Sequence, residues 1–398
     1  MSQADMERLR DAIDALQGDT SARQWEGTLA GSWVELWDPE IEWDASTHPM
    51  PDLAGVYRGV EPTLGWWREW LAAWEEVRVD YELLDAGERV VGLFSQQMRG
   101  HFTGIELASG RYGMVFTFRD GLIVHARFHG RPAEALEAVG LRFVHAPDGV
   151  RIACEVSGEG PPLVLVHGAG SARWSFDAVR PHLERRFTVI AIDRRGRGDS
   201  TDGDGYGLER EFEDVAAVVR DAGEGALLMG HSYGGLVAAG AAGLLDLPRL
   251  ALYEPAMGGG LAPAETIERW ERLIVEGDRD TVVREFYRDI AGYDEEAIEE
   301  LARSPVWEAR RQIVPTVPRE LRAELAHRFD PARVAALAIP VLLLVGTESP
   351  AWAVRSVAAH GEAIPGSETR RLAGQGHSAN MTAPELLAAE LERFFAAG

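Results

Sequence analysis

The chain of 398 residues contains no lysine; all 40 of its basic side chains are arginine. We read this as a composition bias without functional content. Cysteine is nearly absent as well, with Cys154 the only one. An intrachain disulfide is therefore excluded, and so is a zinc site built on cysteine pairs. No apolar run approaches the roughly 20 residues that span a bilayer. The first stretch, Met1 to Gln17, is charged and amphipathic rather than signal-like, so a cytoplasmic location is expected. Positive charge is scarce: 64 acidic residues give a formal net charge of -24. Such a surface repels phosphates and anionic headgroups, which argues against nucleic-acid or membrane partners. Solubility is reason enough for the acidity. Histidine–carboxylate metal patterns and nucleotide fingerprints are also missing. Gly258-Gly259-Gly260 lacks the setting of a phosphate loop and reads as a hinge.

What is present changes character along the chain. Of the 12 tryptophans, Trp25, Trp33, Trp37, Trp43, Trp66, Trp67, Trp70 and Trp74 lie in the first fifth. After about residue 140, short Val/Leu/Ile runs alternate with helical patterns, as in a parallel α/β sheet. A domain boundary is placed near Gly140 to Phe143, giving domains 1–140 and 141–398. In the first, Met6, Leu9, Ile13 and Leu16 share a helical face. A helix is predicted from Pro62 to Glu76, with Leu64, Trp67, Leu71 and Trp74 on one stripe. Strands are predicted at Ile41 to Asp44, Val77 to Leu84, Arg89 to Phe94, Met98 to Ala108, Tyr112 to Arg119 and Leu122 to His129. Asp120-Gly121 between the last two is a hairpin signal. Helices followed by a curved antiparallel sheet suggest an α+β cone.

The most informative stretch is Gly230-His231-Ser232-Tyr233-Gly234, between an apolar run (Ala226 to Met229) and a small-residue helix. A G-x-S-x-G between strand and helix is the signature of a nucleophile elbow. The sharp turn lifts the Ser232 hydroxyl above the sheet edge, and only small neighbours fit around it. A serine hydroxyl is a weak nucleophile until a base takes its proton, and the base needs an orienting acid. Serine rather than aspartate at the elbow argues against haloalkane dehalogenase or epoxide hydrolase chemistry, which needs a carboxylate nucleophile.

Further motifs fall in order. A strand from Pro162 to Val166 ends in His167-Gly168-Ala169-Gly170. Phe187 to Ile192 ends in Asp193-Arg194-Arg195-Gly196-Arg197-Gly198-Asp199-Ser200. Leu250 to Tyr253 ends in Glu254-Pro255, Pro340 to Val345 in Gly346-Thr347-Glu348-Ser349-Pro350, and Thr369 to Leu372 precedes Gly376-His377. With the elbow, these make residues 143 to 398 resemble the α/β-hydrolase family, a mostly parallel sheet with a helical cap, here at about 261–334. Residues 20 to 140 resemble the SnoaL-like members of the NTF2-like superfamily. That likeness rests on Ile41-Glu42-Trp43-Asp44, Gly55 to Val60 followed by Trp66-Trp67, Phe116 to Gly121, and the closing strand into Pro132 to Leu136.

The α/β-hydrolase resemblance implies chain order Ser, acid, His. Ser232 is the nucleophile, His377 the base, and the acid Glu348, favoured over Glu254 by loop position. Many relatives carry Asp where this chain has Ser349. Ala169 and Tyr233 are expected to supply the backbone N–H groups of an oxyanion hole, with His167, Gly168, His231 and Trp174 along the substrate pocket, although packing suits His231 as well. The arginines of the Asp193 to Ser200 turn are read as structural. The expected function is serine hydrolysis of an ester or related carbonyl-centred bond in a small to medium apolar molecule, with no cofactor and no metal. Two alternatives stand beside it: a polyketide-type tailoring enzyme using both domains, and a ligand-binding protein with an idle triad. In the N-terminal domain, His125, Arg127 and His129 share one strand face, Arg99 and His101 another, and Asp38, Glu42, Asp44, His48 and Tyr57 lie near the cone mouth. They suit an acid/base pocket, but a non-catalytic dimerisation or positioning module is preferred, and a homodimer through this domain stays open.

Overall fold

The computed structural model describes residues 3–15, 18–19, 33–100, 106–304 and 306–396. It divides into two compact units, Met1–Arg142 and Phe143–Gly398.

In the N-terminal unit, helix α1 (Gln3–Asp14) buries Leu9 and Ile13, while Leu16 lies outside the described residues. A two-residue strand β1 (Gly18–Asp19) pairs with β4 below. Strand β2 (Trp37–Asp44) turns Trp37, Ile41 and Trp43 inward and Asp38, Glu42 and Asp44 to the opposite face, the period of two that a pleated strand imposes. Next come β3 (Val56–Arg58) and helix α2 (Val60–Ala72), which buries Trp66, Trp67, Trp70 and Leu71. The helix stops short of Glu76 because Trp74 already opens β4 (Trp74–Ala86). From there Val77 and Val79 alternate with charged neighbours, and the strand period overrides the helical one. The remaining strands are β5 (Arg89–Gly100), β6 (Glu106–Ala108), β7 (Tyr112–Arg119) and β8 (Leu122–His129). The single strand expected over Met98 to Ala108 is thus divided between β5 and β6, with 101–105 outside the described residues. Asp120 (φ 53°) and Gly121 (φ 75°) make the tight β7–β8 turn. Sheet order is β1-β4-β5-β7-β8-β2-β3, with β6 also on β5. Helix α3 (Pro132–Ala138) ends the unit. Its core is a tryptophan cluster with ring centroids 5.2–5.4 Å apart for Trp43–Trp66, Trp66–Trp67 and Trp43–Trp67. Within it the described residues enclose an apolar cavity of about 40 Å³, lined by Trp33, Trp67, Trp70, Phe94 and Tyr112 among others.

The second unit is built on one sheet. Its strands are β9 (Leu141–His145), β10 (Arg151–Ser157), β11 (Pro162–Val166), β12 (Thr188–Ile192), β13 (Leu227–His231), β14 (Leu250–Tyr253), β15 (Val341–Gly346) and β16 (Glu368–Leu372). The order is β16-β15-β14-β13-β11-β12-β10-β9, parallel from β12 to β16 and antiparallel between β10 and β12. Edge strand β9 spans the expected boundary. Helices α4 (Arg180–Leu183), α5 (Leu208–Ala222) and α6 (Tyr233–Ala242) follow their strands. Six helices then leave the sheet: α7 (Ala264–Val275), α8 (Arg279–Asp289), α9 (Glu295–Ala302), α10 (Val306–Ile313), α11 (Val317–Ala326) and α12 (Pro331–Ala335). They form a cap with its own core around Ile267, Trp270, Phe286, Ile298, Val317 and Leu321. Helices α13 (Ala351–Ala363), α14 (Ala379–Thr382) and α15 (Pro384–Phe395) complete the unit. Because the central strands are parallel, their carboxyl ends deliver His167, Asp193, Ser232, Glu254 and Gly346 to one edge, where ligands of such sheets bind. Among the described residues no helix is long and apolar enough to cross a membrane.

Candidate active site

Ser232 sits between β13 and α6 with φ 57° and ψ -124°, a conformation costly for any residue with a side chain. The flanking glycines make it attainable. A Cβ on Gly230 would lie 2.4 Å from Gly234 O, and one on Gly234 would lie 2.3 Å from His167 O. Any larger residue would force the turn open.

His377 Nε2 is 3.0 Å from Ser232 Oγ, and its Nδ1 is 2.6 Å from Glu254 Oε2. All three side chains are buried. Glu254, fully enclosed and at φ 46°, accepts on its other oxygen from Gly346 N–H at 2.8 Å and from the Ser349 hydroxyl. The expectation of Glu348 at this position is corrected: its side chain is exposed, and it holds the histidine loop only by its main-chain N–H, 2.9 Å from Gln375 O. The reason is steric and local. The loop after β15 presses so closely on the histidine loop that a Cβ on Gly346 would lie 2.0 Å from Gln375 O. That leaves Glu348 facing outward, while the left-handed turn at Glu254 brings its carboxylate under the imidazole. Ser349, in the slot where relatives carry the acid, becomes a donor to the acid from the neighbouring strand.

The histidine loop is fixed from several sides. The Tyr253 hydroxyl donates to Gly376 O and accepts from Ala379 N–H at 3.1 Å. His231 Nε2 donates to His377 O at 2.8 Å, with its ring stacked on Tyr253 at 4.9 Å. Burial pushes His231 well below the usual histidine range, so it stays neutral. Trp352 meets the His377 ring edge-on at 4.9 Å.

Beside Ser232, His167 Nε2 accepts from Arg194 N–H at 3.1 Å, so its Nδ1 carries the proton and donates to Gly168 O at 2.8 Å. Burial, then the Arg194 charge, hold His167 well below its usual range. The Arg194 guanidinium donates to the same carbonyl at 3.1 Å. In a trans peptide the following N–H points the opposite way, so two donors on Gly168 O fix the direction of the Ala169 N–H. Neither that N–H nor the Tyr233 N–H has an acceptor among the described residues. A Cβ on Gly168 would lie 3.0 Å from Ser232 Cβ, so this loop packs directly on Ser232. His167 and His231 thus hold the loops in place.

The arginines of the Asp193 to Ser200 turn are occupied. Arg194 pairs with Glu211 at 2.8 Å and with Glu320, and lies over the Tyr233 ring at 4.7 Å. Arg197 pairs with Glu320 at 2.5 Å, and Arg195 with Asp214 at 2.6 Å. Since Glu320 belongs to α11, these pairs tie the cap to the loop after β12. Trp174, on a short 3₁₀ turn, is half-buried against Arg310 of α10.

The candidates of the N-terminal unit do not converge. His125 and Arg127 stand on the open face of β8, 3.7 Å from Glu42 and 3.5 Å from Asp44, while Ala126 and Phe128 face the core. Asp38 pairs with Arg119, and Arg99 with Glu75 and Glu76. His48 packs on Trp66 and Phe128, and Tyr57 donates to Leu53 O. His101 lies outside the described residues. Among the described residues no cluster of three His, Cys, Asp or Glu could hold a metal ion.

Residues 163–390 match the family described as the alpha/beta hydrolase family, and residues 19–126 the SnoaL-like domain. A solved alpha/beta hydrolase from Sphaerobacter thermophilus is 35% identical, with a TM-score of 0.58 over 64% of this chain and 100% of its own. An esterase from Rhodococcus sp. ECU1013 is 25% identical, with a TM-score of 0.53 over 65% of this chain and 99% of its own. A 2-(acetamidomethylene)succinate hydrolase of Mesorhizobium japonicum is 38% identical over 79 residues, 19% of this chain and 28% of that protein. The matched segments cover between 17% and 32% of such curated relatives.

Proposed function

The chain belongs to the α/β-hydrolase family, with a SnoaL-like domain ahead of the hydrolase unit, and on that footing we propose that it hydrolyses an ester or related carbonyl-centred bond through an acyl-serine. The substrate is small to medium in size and chiefly apolar. The observation that carries the reading is the buried relay Ser232 Oγ–His377–Glu254. In it, His377 Nε2 takes the hydroxyl proton as Ser232 Oγ bonds to the carbonyl carbon. Glu254 holds the Nδ1–H and stabilises the imidazolium. The oxyanion meets the N–H groups of Ala169 and Tyr233, donors set in place before the reaction. His377 returns the proton to the leaving group, and water repeats the sequence to free the acid and Ser232.

The tailoring alternative has less support. A cavity of about 40 Å³ is an order of magnitude below the roughly 300 Å³ and more of small-molecule sites, and His125, Arg127, Asp38, Glu42 and Asp44 stand on the opposite face of the sheet. The test is turnover of a p-nitrophenyl ester series by wild type and Ser232→Ala. A loss of about 10⁴-fold or more, with fluorophosphonate labelling of wild type alone, is expected. Labelling without turnover of any ester would favour a specialised reaction, and neither labelling nor turnover would favour a binding protein.

A further inference from the structure

Among the described residues five arginines are buried, all in the α/β-hydrolase unit: Arg173, Arg194, Arg195, Arg197 and Arg310. The first four each face at least one carboxylate within 3 Å. Arg310 faces none. It is 3% exposed, on the inner side of α10 with Trp307 and Ile313. Its guanidinium carbon lies over the Tyr287 ring at 4.5 Å and over the Trp174 ring at 4.9 Å. One terminal nitrogen is 3.8 Å from Met381 Sδ, and Nε has no partner. Burial pushes its pKa down to about 9, so the group remains a cation at neutral pH.

Its contacts come from three parts of the site. Trp174 lies just beyond the Ala169 loop. Met381 is on α14, directly after His377-Ser378. Tyr287 is on cap helix α8, and it packs on Tyr293 at 5.2 Å, whose hydroxyl is 2.9 Å from Ser378 Oγ. Phe286, its neighbour, covers the Ala169 loop, 3.1 Å from where a Cβ on Gly170 would be. The cation is therefore lodged where the cap closes over the catalytic loops.

A buried charge without a counter-charge is unfavourable, and ring faces offset only part of that. Two rings and a thioether pack on the guanidinium, the described residues offer its N–H groups no oxygen acceptor, and its planar fork matches the two oxygens of a carboxylate. We propose that Arg310 receives a carboxylate of the substrate, so that the enzyme acts on molecules bearing a free carboxylate besides the scissile bond. The proposal rests on the acyl-serine reading and narrows it: the substrate has an apolar body and one anionic end. A neutral substrate leaves Arg310 unpaired under the closed cap.

The test compares mono-p-nitrophenyl glutarate with p-nitrophenyl pentanoate, acyl groups of equal length with and without the charge. Wild type is expected to favour the glutarate in kcat/KM by at least about tenfold. Arg310→Met abolishes or reverses that ratio, and Arg310→Lys retains part of it. A ratio unchanged in Arg310→Met overturns the proposal. A second measurement needs no turnover: glutarate, and not glutaramide, raises the Tm of wild type, and the shift disappears in Arg310→Met. No glutarate-specific shift, or one that persists in the variant, also overturns it. If Ser232 resists a fluorophosphonate and neither ester is turned over, the hydrolase reading fails, while the glutarate shift still decides the role of Arg310.

Discussion

The two units place their ion pairs differently. In the N-terminal unit the core is aromatic, and the ion pairs of the described residues lie at the surface, on strands and helices alike. Arg58–Glu42 has side chains 72% and 35% exposed, and in Arg127–Asp44 the arginine is 50% exposed. The α/β-hydrolase unit also carries surface pairs, but around the loops of its site the ion pairs are inside: Arg194–Glu320 has side chains 1% and 0% exposed. Exposed pairs contribute little to stability and are screened. Buried ones hold loops in a single arrangement because every alternative leaves a desolvated charge. The difference separates a surface that is merely charged from a site that is organised. At His125 and Arg127 polar residues share only a strand face and stay in contact with solvent; at His377 and Glu254 they are enclosed and mutually satisfied.

The strongest way to break this comparison is at the carboxylates. Glu254→Gln should lower kcat/KM about 10³- to 10⁴-fold, as loss of an orienting acid does. Glu348→Gln and Glu42→Gln should each change it less than about threefold, being exposed. Ester kinetics on the three variants check it, and a large loss in Glu348→Gln would return the acid to the loop after β15. Next in size, Glu320→Gln should destabilise the α/β-hydrolase unit by about 3–5 kcal/mol, since it strands the buried Arg197 guanidinium and leaves Arg194 with Glu211 alone. Arg58→Ala should cost the N-terminal unit no more than about 1 kcal/mol. Amide exchange followed unit by unit separates the two. The smallest effect concerns pH. His167 and His231 are held well below the ordinary histidine range in the fold, whereas the unfolded chain protonates both near pH 6.5. The unfolded state thus binds more protons in acid. Their contribution is complete above about pH 6.5 and falls below it by about 1.4 kcal/mol per pH unit for each group. His231→Gln should halve that slope in the α/β-hydrolase unit.

Much of this was legible in the residues. The elbow was, because Gly230 and Gly234 admit no substitute, and so was the cap, because its helices interrupt an otherwise regular alternation. The acid was not. Glu254 and Glu348 follow adjacent parallel strands in register, Tyr253 beside Leu344. Which carboxylate turns inward depends on one backbone angle and one close approach of loops. The available signal was Ser349, a hydroxyl in the slot of the missing acid. In the N-terminal unit, alternation correctly grouped His125, Arg127 and His129, but the burial of Ala126 and Phe128 put that group on the outside. Arg310 escaped notice because Glu308-Ala309-Arg310-Arg311 reads as an ordinary solvated turn of helix. The clue was its spacing from Trp307 and Ile313, which sets an arginine on the apolar stripe.

One connection near the nucleophile bears on how such a protein changes over generations. Ser232 N–H donates to Tyr253 O at 2.9 Å, and Ser232 O accepts from Ala256 N–H at 2.9 Å. The elbow is therefore laced to both sides of Glu254 through the main chain. The spacing of nucleophile and acid does not depend on what either side chain is. A lineage could exchange the reacting groups, or lose and regain them, without rebuilding the frame that aligns them. In this chain the chemistry is replaceable cargo, and the inherited part is the stitching of one strand end to the next.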